Sequence, residues 1–229
     1  MKLSILIPVY NEEKTILKVL NQINNQNFTK FSFEIIVIDD GSTDNTSNVL
    51  SQNVGLYDKC VSLEKNSGKG AAIKLGLKYA TGDYVIFQDG DLEYDPKEFN
   101  KIVDVIQKFG AEIVIGSRFL SPDYTRVHNY FHKQGNKFIT FLFNLLNNTT
   151  FTDIYSCYLC FKKPLLDENM LKSNGWDQQA ELLSIIIKNA KIYYEVPIAY
   201  SGRSYSEGKK IKARHVFKVI YTIFKKKLL

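Results

Sequence analysis

Short apolar runs alternate with longer segments of helical periodicity through the first half of the chain. The apolar runs are rich in Ile and Val and span residues 3–9, 33–39, 59–64, 83–89 and 111–117. Their near-continuous hydrophobicity is typical of strands that are covered on both faces. Helical periodicity marks the segments between them, at residues 12–22, 43–51, 70–80 and 96–109. The alternation predicts an α/β fold in which a mainly parallel central sheet carries helices on both faces.

The pattern is looser after residue 118. It predicts a helix at 129–146, a strand-like run at 151–163, a helix at 177–189, a strand at 192–200 and a final helix from residue 215. No internal repeat, low-complexity tract or linker interrupts the sequence. A chain of 229 residues is long enough for one large α/β domain with a complete core. We therefore predict a single domain over residues 1–229.

Four carboxylates follow the fourth predicted strand at alternate positions, namely Asp89, Asp91, Glu93 and Asp95. In parallel sheets, ligands bind beyond the carboxyl ends of the strands. Residues two apart in an extended segment face the same way, so Asp89 and Asp91 can converge. Two converging carboxylates repel each other unless a cation lies between them or one is protonated. A divalent ion resolves the repulsion, and Mg²⁺ or Mn²⁺ binds through one or two carboxylates together with phosphate oxygens.

A metal site has three alternatives in this acidic segment. A calcium-binding loop would need Gly at its sixth position and Glu at its twelfth, where this chain has Tyr94 and Asn100. The acid pair of a glycoside hydrolase comes from two different elements, with the carboxyl groups roughly 5 Å or more apart. A solvated acidic loop with Asp95 as helix N-cap before Pro96 is the simplest alternative, and it accounts for Asp95.

The charge of the chain is concentrated at its end, although its composition is ordinary for a globular protein. Residues 201–229 hold nine basic and one acidic side chain, whereas the rest of the chain holds 21 basic and 23 acidic side chains. Such a tail favours polyanions, and no nucleic-acid recognition motif is present, so anionic lipid or a phosphorylated substrate is the expected partner. The final helix places Phe217, Ile220, Ile223 and Phe224 at helical spacing among lysines, which indicates either membrane binding or packing on the domain.

The cysteines and the N-terminus indicate a cytoplasmic protein. Three cysteines do not suggest a disulfide framework, and the first residues lack the small-residue cleavage site of a signal peptide. Cys157 and Cys160 form a C-x-x-C, but they lie in an aromatic, strand-like run. We interpret them as buried structural thiols rather than a redox or zinc site.

Several motifs occur in the order that is typical of one enzyme family. They are PVYNEE, DDGSTD, NSGKGAA, DGD, GSRF, GNKFIT, TDIYSCYLCFKK and, near the end, EVPIAYSGRSYSEGKKI. Together they resemble the family-two glycosyltransferases, and the last motif is similar to that of the polyprenyl-phosphate (dolichyl-phosphate) sugar synthases. The resemblance covers nearly the whole chain. It implies the nucleotide-diphosphosugar transferase fold, which is Rossmann-like and called GT-A, with a nucleotide-sugar half at 1–120, an acceptor half at 121–200 and a basic tail at 201–229.

The resemblance also implies roles for particular residues. For the nucleotide it implies Pro8, Tyr10, Glu12, Asp40 and Lys69, and for the metal and diphosphate it implies Asp89, Asp91 and Glu93, with Asp91 as the stronger ligand. Candidate phosphate clamps are Arg118, Arg126, Lys133, Arg203 and Lys209. Candidates for a general base or an acceptor contact are Asp153, Asp177 and Glu181. Glu13 and Asp44 are expected to have structural roles at helix starts.

The implied reaction is an inverting, metal-dependent transfer of a sugar from a UDP- or GDP-sugar to a polyprenyl phosphate, at the inner face of the membrane. A phosphate-monoester acceptor needs no general base, since its second pKa is near 6. Alternatives are a transferase that acts on a sugar hydroxyl of a glycan, a nucleotidyltransferase, or a binding protein without activity. The chain departs from its relatives at GWDQQAE (175–181), where they carry an acid-rich G-F-E-x-E, and after EGKKI, where they continue towards Asp-Gly.

Overall fold

A computed structural model describes residues 1–28, 30–120, 130–202 and 215–228 of the chain. Its centre is a seven-stranded sheet with the strand order β3-β2-β1-β4-β6-β5-β7. The strands are β1 (Lys2–Val9), β2 (Ser32–Asp39), β3 (Lys59–Ser62), β4 (Tyr84–Phe87), β5 (Ile113–Ser117), β6 (Leu159–Lys162) and β7 (Tyr193–Pro197). Only β6 runs antiparallel to its neighbours β4 and β5, so the predicted mainly parallel sheet is confirmed.

Seven α-helices accompany the sheet in the described residues. They are α1 (Ile16–Asn24), α2 (Thr46–Ser51), α3 (Lys69–Leu77), α4 (Phe99–Phe109), α5 (Tyr130–Asn147), α6 (Gln178–Asn189) and α7 (His215–Leu228). The successive β1 residues Ile5, Leu6 and Ile7 are all fully buried. Because neighbouring strand residues point to opposite faces, both faces of the sheet are covered, as predicted. None of the helices in the described ranges is long and apolar enough to cross a bilayer.

Two helices begin later than the periodicity predicts, because polar side chains tie the preceding loops to each other. Glu13 Oε2 accepts a hydrogen bond from the backbone N–H of Asn45 at 2.9 Å, and Asn11 Oδ1 accepts one from Thr43 N–H at 2.8 Å. Asp44 Oδ1 accepts from Thr46 N–H at the start of α2, at 3.0 Å. Residues 10–15 and 40–45 are therefore a pair of joined loops, and the structural interpretation of Glu13 and Asp44 agrees with these contacts.

The strand predicted at 151–163 is mostly wrong, since only Leu159–Lys162 forms β6. The first residues of the segment, 151–153, bond to side chains instead of a neighbouring strand. Glu195 accepts from the backbone N–H groups of Thr152 and Asp153, and Asn144 Nδ2 donates to the Phe151 carbonyl at 2.7 Å. Apolar periodicity could not distinguish this segment, which is buried like a strand but runs as a loop.

The acidic segment after β4 enters α4 through a short 3₁₀ turn. Asp95 caps that turn by accepting from Lys97 N–H at 3.0 Å, with Pro96 as its first residue. The predicted N-cap role of Asp95 is confirmed. The three remaining carboxylates of the segment lie before the cap, at the carboxyl end of β4. The loops after β1 and β2 begin at the same edge of the sheet.

Candidate active site

A cavity of about 370 Å³ opens at the carboxyl edge of the sheet. Volumes of this size are typical of small-molecule sites. Nine residues singled out in the sequence line it together, namely Pro8, Tyr10, Glu12, Asp40, Lys69, Asp89, Asp91, Glu93 and Arg118. They come from the end of β1, from the loops after β1, β2, β4 and β5, and from the start of α3. The parallel strands bring these loops to one edge, as expected for ligand sites beyond the carboxyl ends of the strands.

Asp40 joins the loop after β2 to the start of α3. Its two carboxylate oxygens accept hydrogen bonds from Ser67 N–H at 2.8 Å and Gly68 N–H at 2.9 Å. Burial raises the pKa of the Asp40 carboxyl, although these two donors oppose the shift. Gly68 has φ +95°, and a side chain there would lie 2.5 Å from the Asn174 carbonyl oxygen, so glycine is required. Asp40 is thus a buried acceptor in the cavity wall, with lone pairs to spare.

Lys69 neutralises one of the two paired aspartates. Its Nζ lies 2.5 Å from Asp89 Oδ1 and 4.0 Å from the Cys157 sulfur. Burial by itself would lower the pKa of Lys69, but the Asp89 charge raises it above its ordinary value. The lysine is therefore a charged partner of Asp89 inside the cavity, not a solvated loop cation. Cys157 and Cys160 are both buried, in agreement with the structural interpretation of these thiols.

The loop that carries Asp91 is attached to the segment that follows β7. Asp91 Oδ1 accepts from Glu93 N–H at 3.2 Å, and Glu93 Oε2 accepts from the Tyr200 hydroxyl at 2.5 Å. The Glu93 carbonyl accepts from Ser201 N–H at 3.0 Å. Leu92, between the two acids, has φ +64°, a conformation that is uncommon for a branched residue. The Asp91 loop is thus fastened at Glu93, on both its side chain and its backbone.

Arg118 completes the cavity on the side of β5, and a buried carboxylate fixes its guanidinium. Arg118 Nε lies 2.7 Å from Asp153 Oδ2, and Nη2 lies 2.8 Å from Asp153 Oδ1. The guanidinium carbon also lies 5.0 Å from the centre of the Tyr200 ring. Asp153 is fully buried and does not line the cavity. A bidentate pair of this kind orients the arginine while its remaining donors stay available.

Comparison with known proteins identifies the family of this chain. The model of the family described as "Glycosyl transferase family 2" matches residues 4–168. The chain belongs to glycosyltransferase family 2. This membership confirms the resemblance drawn from the motifs.

Curated relatives of this glycosyltransferase act on lipid phosphates according to their names. It is 30% identical to the UDP-N-acetylglucosamine–dolichyl-phosphate N-acetylglucosaminyltransferase of Methanococcus voltae, over 98% of this chain and 95% of that protein. It is 28% identical to the dolichol-phosphate mannosyltransferase of Pyrococcus furiosus, over 98% of this chain. The chain spans 63% of the length of that mannosyltransferase and 62% of an undecaprenyl-phosphate 4-deoxy-4-formamido-L-arabinose transferase from Proteus mirabilis.

Solved structures share the fold of the glycosyltransferase. Glucosyl-3-phosphoglycerate synthase from Mycobacterium tuberculosis, in complex with Mn²⁺, UDP and glucosyl-3-phosphoglycerate, superposes with a TM-score of 0.72 at 22% identity, covering 100% of this chain and 80% of that one. S. aureus TarS 1–349 in complex with UDP-GlcNAc superposes with a TM-score of 0.67 at 19% identity, covering 99% and 66%. The predicted GT-A fold is therefore confirmed.

Two acids at the start of α6 in this glycosyltransferase, Asp177 just before the helix and Glu181 within it, do not line the cavity. Glu181 Oε1 lies 2.9 Å from Lys226 Nζ of α7, and its Oε2 accepts from the backbone N–H groups of Lys172 and Ser173. Asp177 Oδ1 lies 3.1 Å from Lys218 Nζ, and both carboxylates are buried. Burial would raise the pKa of Glu181, but the hydrogen bond from Lys226 lowers it below its usual value. The structure thus assigns Glu181 contacts that hold α7 and the 172–173 backbone, and does not bring it to the cavity.

The remaining predicted cations are not part of the described cavity wall. Lys133 lies on α5, with its Nζ 5.8 Å from the centre of the Phe119 ring, next to Arg118 in the chain. Arg126, Arg203 and Lys209 lie outside the described residues.

Several cavity residues were missed in the sequence. They are Tyr94, Tyr155, Trp176, Gln178, Gln179 and Tyr200. Tyr200 follows β7, so the rule that ligands bind beyond the carboxyl ends of the strands would have found it if it had also been applied to the last strand. Tyr94 lies in the acidic segment after β4, so the same rule covers it. The remaining four, Tyr155, Trp176, Gln178 and Gln179, carry no comparable signal, because they reach the cavity on loops and helix ends whose course depends on tertiary packing.

Proposed function

We propose that this glycosyltransferase moves a sugar from a nucleoside-diphosphate sugar to a polyprenyl phosphate, in a single displacement that inverts the anomeric carbon. The observation that carries this choice of acceptor concerns the candidate bases. Asp153, Asp177 and Glu181 are all buried, are each paired with a cation, and do not line the cavity in the described part of the chain. A sugar hydroxyl would need a base, whereas a phosphate monoester already carries the attacking negative charge.

The nucleotide is expected at the end of the cavity formed by the loops after β1 and β2. Asp40 and Glu12 supply carboxylate acceptors for the N–H groups of the base or the ribose hydroxyls, and Tyr10 and Pro8 supply apolar surface for packing. The loops after β2 and β3 are held together before the ligand binds, because Asp40 accepts hydrogen bonds from Ser67 and Gly68. Such preorganisation reduces the entropy that is lost on binding.

A divalent cation, Mg²⁺ or Mn²⁺, fits the donor set of the cavity when the diphosphate supplies further oxygens. No group of three His, Cys, Asp or Glu residues suited to a metal occurs within the described ranges, so the protein alone offers an incomplete shell. Two carboxylates plus phosphate oxygens is the arrangement that Mg²⁺ favours. Asp91 and Asp89 would hold the ion, with Glu93 bonded to Tyr200 beside them, and the bound ion would neutralise charge on the departing nucleoside diphosphate. Lys69 adds a fixed positive charge next to Asp89.

Arg118 is the residue that we assign to the acceptor phosphate. Its guanidinium is held by Asp153 and faces the cavity, so its free N–H groups can bind phosphate oxygens in a fixed direction. A buried arginine with a bidentate partner stays charged, and the Asp153 charge raises the pKa of Arg118 further although burial opposes this. The nucleophilic phosphate oxygen needs only to be aligned with the anomeric carbon.

We further propose that the protein is one domain, lies in the cytoplasm and associates peripherally with the inner face of the membrane that contains its acceptor. The relatives named for dolichyl-phosphate and undecaprenyl-phosphate substrates support this location.

Product analysis tests the proposed reaction. The protein is incubated with Mn²⁺, radiolabelled UDP- or GDP-sugars and polyprenyl phosphate in detergent. We expect release of a nucleoside diphosphate and formation of a labelled lipid from which mild acid frees the sugar. Release of pyrophosphate would instead identify a nucleotidyltransferase, and label confined to acid-stable oligosaccharide would identify a hydroxyl acceptor.

A further inference from the structure

An exposed apolar stripe runs along the outer side of α7. Phe217, Tyr221, Phe224 and Leu228 are spaced at one helical face, and Phe217 and Leu228 are 77% and 85% exposed. The opposite side of the same helix is buried, with Val219 and Ile223 almost fully covered. Packing of α7 on the domain therefore uses one side of the helix and leaves a second apolar side in solvent.

The neighbouring helix α5 has the same two-sided character. Its outer side exposes Phe138, Phe141 and Leu145 to 52%, 59% and 68%, whereas Ile139 and Phe143 on its inner side are buried. Helices α5 and α7 pack against each other. More than half of the large hydrophobic side chains that are exposed in the described chain belong to these two helices. Apolar surface concentrated in this way is typical of an interaction site.

The charges on the two helices all have one sign. Neither α5 nor α7 contains an Asp or Glu. Lys133 and Lys137 are exposed on α5, and Lys225 and Lys227 are exposed beside the α7 stripe. Lys226 differs from its two neighbours because it is committed to Glu181. Aromatic and aliphatic side chains flanked by exposed lysines are the pattern of helices that lie in the headgroup region of an anionic membrane.

We propose that the outer sides of α5 and α7, called here the α5–α7 surface, dock the enzyme on an anionic lipid bilayer. The inference rests on the proposed function, in which the acceptor is a membrane lipid. A second copy of the chain is a poorer occupant, since a two-fold interface would bring the exposed lysines of both copies together. The surface also begins beside the cavity, because Lys133 of α5 lies 5.8 Å from the ring of Phe119, the neighbour of Arg118. Docking through it would present Arg118 to phosphates at the membrane surface.

Vesicle flotation with the full-length chain tests the surface directly. The probes are neutral phosphatidylcholine vesicles and vesicles that also contain phosphatidylglycerol, without substrate. We expect binding to the anionic vesicles and much weaker binding to the neutral ones. Phe217→Gln with Phe224→Gln should weaken binding by at least about tenfold. Phe138→Gln with Leu145→Gln should do the same, and Lys225→Gln with Lys227→Gln should weaken it by roughly 20- to 30-fold at low salt.

Matched substitutions elsewhere serve as controls. Val54→Gln removes an exposed apolar side chain, and Lys14→Gln with Lys18→Gln removes two exposed charges from other parts of the surface. These variants should bind vesicles like the wild type. All changes affect exposed side chains, so unchanged thermal melting verifies that each variant is folded.

Two results would overturn the inference. The first is equal vesicle binding by the α5–α7 variants and the controls. The second is a wild-type dimer, measured by sedimentation velocity, that Phe217→Gln with Phe224→Gln dissociates, since the surface would then be a self-interface. Detergent-solubilised polyprenyl phosphate separates the two proposals: transfer that persists without vesicle binding refutes the docking surface alone, whereas vesicle binding without any transfer refutes the proposed reaction.

Discussion

The acidic residues after β4 and those at the start of α6 lie in opposite environments: the first line a cavity, and the second are buried under α7. Asp89 and Asp91 stay at the wall of a cavity, and the side chain of Asp89 is 23% exposed. Asp177 and Glu181 have side chains that are each 2% exposed and are paired with lysines of α7. In the sequence, the first group was predicted to bind a metal and the second to supply a general base or an acceptor contact. The difference shows that the element packed over a carboxylate, more than its motif, determines what it can do.

The physical reason is the cost of burying a charge. Because an isolated carboxylate is not tolerated in the interior, burial requires a cation or several N–H donors, and these occupy its oxygens. Glu181 has both, from Lys226 and from the backbone of residues 172–173. At the open edge of the sheet the cover is partial: Lys69 occupies one oxygen of Asp89, but Asp89 and Asp91 still line the cavity, so their other oxygens can bind a metal or a substrate.

Removing charge at Asp91 should have the largest effect. Asp91→Asn keeps the shape of the side chain but weakens a metal ligand, so the rate of sugar transfer should fall by roughly a thousandfold or more, with little change in melting temperature. The measurement is the rate of nucleoside diphosphate release with saturating Mn²⁺. Asp95→Asn is the matched control in the same segment: Asn caps a helix as well as Asp does, so it should change stability by less than about 0.5 kcal/mol and leave transfer largely intact. Wild-type rates in Asp91→Asn would refute the metal-site assignment.

Changing Glu181 should affect stability instead of chemistry. Glu181→Gln leaves the largely buried Lys226 with the Met170 carbonyl but without its carboxylate partner, so the free energy of unfolding should fall by about 3 kcal/mol. Urea denaturation at neutral pH measures this, and the transfer rate per folded molecule should change by less than about tenfold. The double variant Glu181→Gln with Lys226→Met should recover part of the loss. Unaltered stability combined with abolished transfer would restore Glu181 as a catalytic residue.

Glu34 tests whether a carboxylate that is paired and hydrogen-bonded far from the cavity also contributes to stability. Glu34, on β2, accepts from Lys2, Ser4 and Thr81, and although burial opposes them these bonds lower its pKa from 4.5 to about 2. A folded pKa below the unfolded one stabilises the protein above pH 4.5, and the benefit disappears as pH falls through about 2. Between pH 6 and pH 3, wild type should therefore lose about 2 kcal/mol more unfolding free energy than Glu34→Gln. Parallel urea curves for the two proteins at both pH values provide the test, and equal losses would contradict it.

An exposed acid should matter least. Asp104 lies 2.5 Å from Lys30, but both side chains are about half exposed, so solvent screens the pair. Asp104→Asn should change the unfolding free energy by less than about 0.5 kcal/mol and leave transfer unchanged. A loss comparable to that of Glu181→Gln would show that burial does not separate the two classes of acid.

The sequence alone predicted the first five strands, most of the helices and the loops that meet at the cavity. These features depend on local causes: apolar runs specify strands covered on both faces, and parallel strands bring their following loops to one edge. The family motifs occupy those loops, and the resemblance to the family implied the nine cavity residues that were named in advance.

Tertiary structure alone decided how the remaining groups are used. The pairing of Arg118 with Asp153, of Lys69 with Asp89 and of Glu181 with Lys226 joins residues that are distant in sequence, and periodicity contains no information about such partners. Helix α7 also shows this limit. Its pattern predicted an amphipathic helix, but a helix with apolar residues on two sides can bury only the side that contacts a partner. Packing against α5 and α6 therefore determined that Ile223 is buried and Phe217 exposed, and that Lys226 is paired with Glu181 instead of being free to contact a membrane.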